Sequence, residues 1–348
     1  MNGLLATIRR QFACVVLAAM SLSTTAQQPI VMPRPLQAGD TIAIVSPSSA
    51  PDSATVAKGC AALRDWGYVP VVGPHALNRY HGFAGTADER AADLLWALRD
   101  TTVKAILCSR GGDGAVQVLQ RIPLSEFSQH PKWIIGHGDI VILLYAIAGA
   151  NVMSIHGPMA FQIASRQEPA TSITRNILFG TLPQYKIPAN PYNRIGHAEG
   201  ILVGGNLSSI SAIAGSRYHL LPKQNVILFL EEVEESLHSI DRLFYSLSLK
   251  LNFENVKGVI FGTFNSIRYD LQYGSVEQML IAHLHNYEIP VCCGFPVGSN
   301  SCIPLIEGAM CSLDVAGDSA TLTYNIKGSV EPYEVDIDTP QLLKEKQL

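Results

Sequence analysis

The 348-residue chain is poor in charge and has no basic excess. Only 16% of its residues are charged, and 25 Lys and Arg stand against 29 Asp and Glu, a formal charge of −4. Nothing here favours nucleic acid, and a small molecule or peptide is the expected ligand. Beyond residue 26 no apolar run approaches the ~20 residues that a bilayer-spanning helix needs. None of the seven cysteines has the spacing of a zinc site, so no metal is expected. No Gly-rich dinucleotide fingerprint follows the first strand, so no cofactor is expected either. Repeats and disorder-type composition are also missing. What remains is a chain with 47% hydrophobic residues, long enough for two domains with real cores.

Residues 1–26 read as a secretory signal peptide. Arg9 and Arg10 supply a positive n-region, and Phe12 to Leu22 is apolar but too short to cross a bilayer comfortably. Thr24-Thr25-Ala26 places small residues before a cleavage site, giving a mature start near Gln27. A short membrane anchor is the alternative. Cleavage leaves 23 basic against 29 acidic residues, a charge of −6. The expected location is periplasmic or secreted. Cys14 lies inside the apolar stretch, which argues against a lipid-anchored cysteine. Export permits disulfides. Cys60, Cys108 and Cys311 sit in apolar runs and read as small buried hydrophobes, while Cys302 lies close enough in sequence to Cys292 and Cys293 to pair with one of them.

After a Pro-containing lead-in, short apolar strands alternate with helices. Strands are expected at Thr41–Ser46, Tyr68–Val72, Lys104–Cys108 and Trp133–Ile135. Helices are expected through about Trp66, over Ala87–Arg99 and from about Asp139 to Ala148. Continuous apolar strands separated by helices indicate a parallel sheet covered on both faces. Residues 161–197 are polar, rich in Pro and Asn and without periodicity, and read as a linker or crossover. A second unit starts at Gly200–Val203, with a helix from Leu207, a strand Val226–Leu230, an amphipathic helix Leu237–Leu249, and strands at Gly258–Phe261 and near Val291. Cys311–Asp314 and Ala320–Tyr324 form a closing hairpin, and Lys344–Leu348 a solvated tail. The domains are therefore placed at 36–160 and 198–335.

In an open α/β sheet, ligands bind beyond the carboxyl ends of the strands, so the turns after strands carry the candidates. Ser109-Arg110-Gly111-Gly112-Asp113-Gly114 is a glycine loop whose exposed N–H groups suit an anion or oxyanion. Ile135-Gly136-His137-Gly138-Asp139 runs from a strand straight into a helix, as a nucleophile elbow does. A Ser or Cys belongs at position 138, and the residue is glycine. Glu231 ends a strand of the second unit, where a carboxylate orients a histidine, while Glu232, Glu234 and Glu235 equally suit a helix N-terminus. Gly294-Phe-Pro-Val-Gly298-Ser299-Asn300 follows a strand but contains no histidine. His156, His238, His283 and His285 have no acid partner at a recognisable spacing and read as surface or structural.

These pieces in this order resemble the serine LD-carboxypeptidase family, the muramoyltetrapeptide carboxypeptidases and their microcin-immunity relatives. The matching segments are Gly39–Pro47, Arg110–Gly112, Ile135-Gly136 through Ile140, His156–Met159, Gly204–Leu207, Leu228–Glu232, Ile240–Arg242, Gly294–Gly298 and Pro304–Gly308. The resemblance implies an N-terminal flavodoxin-like parallel-sheet domain, a C-terminal swivelling β/α domain and a homodimer. It also implies a Ser-Glu-His triad that cuts the amide before a terminal D-amino acid in peptidoglycan tetrapeptides. Carried over residue by residue, the nucleophile position is Gly138, the acid is Glu231, and the base position is Ser299. The oxyanion donors are the backbone N–H groups of Gly112 and Asp139.

Loss of both nucleophile and base forfeits most of a triad's gain, leaving ~10³–10⁴-fold over water from the oxyanion hole and binding. His137 adjoins the gap but should point away from it on a tight turn, and Ser299 lacks a base. The expectation is a catalytically degenerate relative that binds muropeptides or other peptides with a D-amino acid terminus. The alternatives are an active LD-carboxypeptidase with a non-standard nucleophile, and a non-enzymatic interaction protein.

Overall fold

The computed structural model describes residues 29–165, 168–218, 224–250, 253–268, 274–298, 302–326 and 332–337. Residues 1–26, which read as a signal peptide, Ser299 and the tail Lys344–Leu348 lie outside them. The first half runs β1 (Thr41–Val45), α1 (Ser53–Asp65), β2 (Val69–Val72), α2 (Ala87–Arg99), β3 (Val103–Cys108), α3 (Ala115–Leu119), α4 (Ser125–Gln129), β4 (Trp133–Gly136), α5 (Val141–Gly149) and β5 (Ser154–His156). Local chemistry sets these boundaries. Asp52 caps α1 at the Thr55 amide, and Thr86 with Glu89 forms a capping box on α2.

These strands pair in parallel in the order β2-β1-β3-β4-β5, the doubly wound, flavodoxin-like order. The expected N-terminal architecture is therefore present. The order reverses between β1 and β3, so the turns after their carboxyl ends diverge and leave a crevice.

The rest of the chain contributes α6 (Ala160–Ala164), α7 (Ala170–Leu178), β6 (Pro183–Pro188), β7 (Gly196–Asn206), α8 (Leu207–Ile213), β8 (Val226–Val233), α9 (Leu237–Lys250), β9 (Val256–Asn265), α10 (Val276–His283), β10 (Val291–Cys293), β11 (Leu305–Glu307), β12 (Met310–Val315), β13 (Ser319–Tyr324) and β14 (Tyr333–Asp336). A second, mixed sheet has the order β10-β9-β8-β7-β12-β13-β6-β14.

Two segments depart from a strictly sequential division. Residues 161–197, which read as a linker, carry α6, α7 and β6, and β6 pairs with β13 and β14 inside the second sheet. The prolines at both ends of β6 mask its alternation. Strand β11 crosses back and pairs antiparallel with β5, setting Leu305 opposite His156 and Glu307 opposite Ser154. The C-terminal half thus supplies the edge strand of the N-terminal sheet.

Helix α5 anchors the site. Its residues Val141 to Ala148 are all buried, as expected for a helix that is apolar all round. It packs against β5, β7 and α8 at once, so its N-terminus, where the elbow lies, is fixed by both halves of the molecule. Cys60, Cys108, Cys292, Cys293 and Cys311 are buried free thiols, so neither Cys292 nor Cys293 is bridged to Cys302.

Candidate active site

A cleft of about 970 Å³ opens at the carboxyl ends of β1, β3 and β4. The glycine loop Arg110–Asp113 and the elbow His137–Asp139 line one side, and Asn206, Ser208 and Glu232–Glu235 the other.

Each glycine of the elbow has its own reason. A Cβ on Gly136 would strike Ile140 Cγ2 at 2.6 Å, because the strand passes directly under the turn into α5. Gly138 has φ +61, and a Cβ there would have no atom within 4 Å. The left-handed backbone and open space match the sharp strand-to-helix turn of a nucleophile elbow, at a residue that has no side chain.

The glycine loop lies against this turn. A Cβ on Gly111 would approach the His137 carbonyl oxygen to 3.2 Å and the Asp139 nitrogen to 3.5 Å. Gly112, at φ +117, leaves no room for a side chain beside Ser49, whose Oγ would sit 2.2 Å from a Cβ. The next amide, that of Asp113, donates to the same Ser49 Oγ over 3.1 Å. Gly112, Gly138 and Asp139, three of the residues assigned from the sequence, are therefore brought together.

Glu231 stands apart from them. It is buried and does not line the cleft, whereas Glu232 does. Glu231 lies against Gly298, where a Cβ would come within 3.2 Å of Glu231 Oε2. The acid is thus packed on the residue that precedes position 299. Glu232 serves the framework instead. Its carboxylate accepts from Asn206 Nδ2 at 2.6 Å, from the Ser208 amide at 2.9 Å and from Ser208 Oγ at 2.6 Å. It caps α8 from the neighbouring strand β8, not the α9 that follows it in sequence.

His137 lines the cleft, but its ring is turned inward. Its Nε2 lies 2.8 Å from Gln162 Oε1, which also accepts the Met159 amide. With that oxygen as acceptor, Nε2 carries the proton and Nδ1 holds the lone pair. Burial pushes His137 down to about 4. His156 is buried behind it, with the ring centroids 6.0 Å apart and its edge on Phe229. Burial, helped by the neighbouring His137, pushes His156 down to about 3. Both rings are neutral at ordinary pH. Sequence spacing could not pair the histidines, and His283 in fact bonds Asp241 over 2.8 Å from another helix.

Two residues that matter escaped the sequence reading. Arg90 is buried in α2, hydrogen-bonded to the carbonyls of Pro47 and Gly114. Ser48 donates to Asp139 Oδ2, which also accepts the Ala115 amide at 2.8 Å. The signal for Arg90 was present: it shares a helical stripe with Leu94, Ala97 and Leu98, a cation among apolar residues on the buried side of α2, where Asp93 is buried too.

A crevice at the switch point of a flavodoxin-like sheet is where ligands bind in open α/β folds, and here a glycine loop and a strand-to-helix elbow line it. The chain matches the LD-carboxypeptidase N-terminal domain over residues 42–157 and the LD-carboxypeptidase C-terminal domain over residues 199–313. It belongs to the LD-carboxypeptidase family. A putative carboxypeptidase of Synechocystis sp. is 34% identical over 301 residues, spanning 84% of this chain and 97% of that protein. A probable murein peptide carboxypeptidase of Bacillus subtilis is 31% identical over 307 residues, spanning 84% and 95%. The crystal structure of muramoyltetrapeptide carboxypeptidase from Oxalobacter formigenes shares the fold, with a TM-score of 0.73 at 22% identity, covering 84% of this chain and all of that one.

Proposed function

We propose that this protein is an exported member of the family that holds murein peptides ending in a D-amino acid in the cleft and no longer cleaves them by the family's triad. The observation that carries the reading is Gly138: the elbow, its left-handed backbone and the adjoining glycine loop are intact, while the nucleophile is missing. The murein peptide named for the Bacillus subtilis relative supports the ligand class. The resemblance that puts Ser299 at the base position supports the loss of turnover. Periplasmic or extracellular placement and a homodimer belong to the same reading, supported by the signal-like first 26 residues and by the family resemblance.

In mechanistic terms, the amides of Gly112 and Asp139 donate to a carboxylate or a polarised carbonyl without supplying a nucleophile. Isothermal titration of the purified protein with a D-alanine-terminated murein tetrapeptide tests this. Saturable binding is expected, weakened when the terminal D-alanine is replaced by L-alanine. Absence of heat with any D-terminal peptide sinks the reading.

A further inference from the structure

Two buried opposite charges grip the same pair of dipeptides. Arg90, 2% exposed, gives Nη1 to the carbonyl of Pro47 at 2.6 Å and to that of Gly114 at 3.0 Å. Asp139, 8% exposed, accepts from the Ser48 hydroxyl and from the Ala115 amide. Pro47-Ser48 belongs to the turn after β1 and Gly114-Ala115 to the turn after β3. In each dipeptide the guanidinium takes the carbonyl of the first residue, and the carboxylate takes a donor of the second.

The guanidinium is further held by Gln117 Oε1 at 2.6 Å and lies 4.8 Å from the centre of the Phe83 ring. Among the described residues Arg90 makes no ion pair with a carboxylate. Burying two charges is expensive, and replacing them by apolar residues of the same size is often neutral or stabilising. What apolar side chains cannot do is fix four backbone and hydroxyl groups in register. Gly114 shows how tightly the loop is drawn in: a Cβ there would lie 2.6 Å from Arg90 Nη1 and 2.8 Å from Phe83.

We propose that Arg90 and the side chain of Asp139 form the positioning pair of the cleft. They set the direction of the Gly112 and Asp139 amides and with it the affinity for the carboxylate or carbonyl oxygen of the ligand. The inference rests on the reading that these amides face the ligand. Neither side chain is assigned contact with the ligand; both act through the two turns.

The test uses the full mature chain with Asp139→Asn, Arg90→Lys, the double variant, the milder Ser48→Ala, and Leu322→Ala as a core-destabilised control in the second sheet. Three quantities are read: the melting temperature, mass-spectrometric hydrogen exchange of segment 109–118, and the Kd for the D-alanine-terminated tetrapeptide. Asp139→Asn and Arg90→Lys should each speed exchange of that segment at least tenfold and raise Kd at least tenfold. Ser48→Ala should raise Kd about threefold. The control should change neither quantity, whatever its melting temperature. The double variant should bind no more weakly than the worse single one, because both partners act through the same dipeptides. If the variants lose melting temperature while exchange and Kd follow the control, the clamp is structural only and the proposal is wrong. If the wild type binds no tetrapeptide, the ligand reading fails, and the exchange comparison alone decides the clamp.

Discussion

Gly111 lies flat against the amide of Asp139: a Cβ there would sit 3.5 Å from that nitrogen and 3.2 Å from the His137 carbonyl oxygen. The contact joins the glycine loop to the elbow and forms the floor of the cleft. A branched side chain must push the loop away from the elbow. Gly111→Val is therefore expected to raise the Kd for the tetrapeptide at least tenfold, about 1.4 kcal/mol, with the far-ultraviolet spectrum unchanged. An unaltered Kd places the ligand elsewhere.

Gly138 is expected to accept a serine. A Cβ there meets no atom within 4 Å, and its cost is the left-handed backbone, about 1–2 kcal/mol for a residue with a Cβ. Thermal melting of Gly138→Ser should fall by roughly 2–8 °C. Failure to fold shows that the seat is filled and that the elbow has been remodelled beyond reversal.

Gly298 behaves in the opposite way. At φ +140 a Cβ would lie 2.2 Å from Thr263 Oγ1 and 3.2 Å from Glu231 Oε2. Gly298→Ala should lower unfolding free energy by about 2 kcal/mol or more, since strained backbone and a buried collision add. Urea denaturation reads this directly, and a loss under about 0.5 kcal/mol contradicts the packing of Glu231 on this turn.

Acid should unfold the protein through its buried imidazoles. An unfolded histidine titrates near 6.5, whereas His137 and His156 are held down to about 4 and about 3. Between those values the unfolded chain binds more protons, so stability from these groups is complete above about pH 6.5 and is lost as pH falls toward 4. Each contributes a slope of about 1.4 kcal/mol per pH unit. His156→Phe, which keeps an aromatic ring against Phe229, should remove one such slope from a stability series between pH 4 and 6.5. An identical slope in the variant shows that His156 is not buried neutral.

The alternation of apolar strands such as Thr41–Val45 and Val226–Leu230 with helices made both sheets legible, because buried parallel strands need continuous apolar residues. Strands β6 and β11 were not legible. The identity of each comes from partners far away in the chain: Ser319–Leu322 for β6 and β5 for β11. At the site, the glycines could be read because turns impose φ and close approach on the residue itself. Arg90 could be placed on a buried face but not given a role, since its carbonyl partners at Pro47 and Gly114 are distant in sequence. The same limit applies to Glu232, which caps α8 through Ser208, not the helix that follows it.

Release of D-alanine from the murein tetrapeptide, measured on the wild type beside Gly138→Ser/Ser299→His, tests the central claim most directly. The wild type should bind the peptide and release no D-alanine above the uncatalysed background, and restored side chains at the seat and base position should bring turnover back. Steady release by the wild type that Glu231→Ala abolishes would contradict the account and mark the protein as a working carboxypeptidase with another nucleophile.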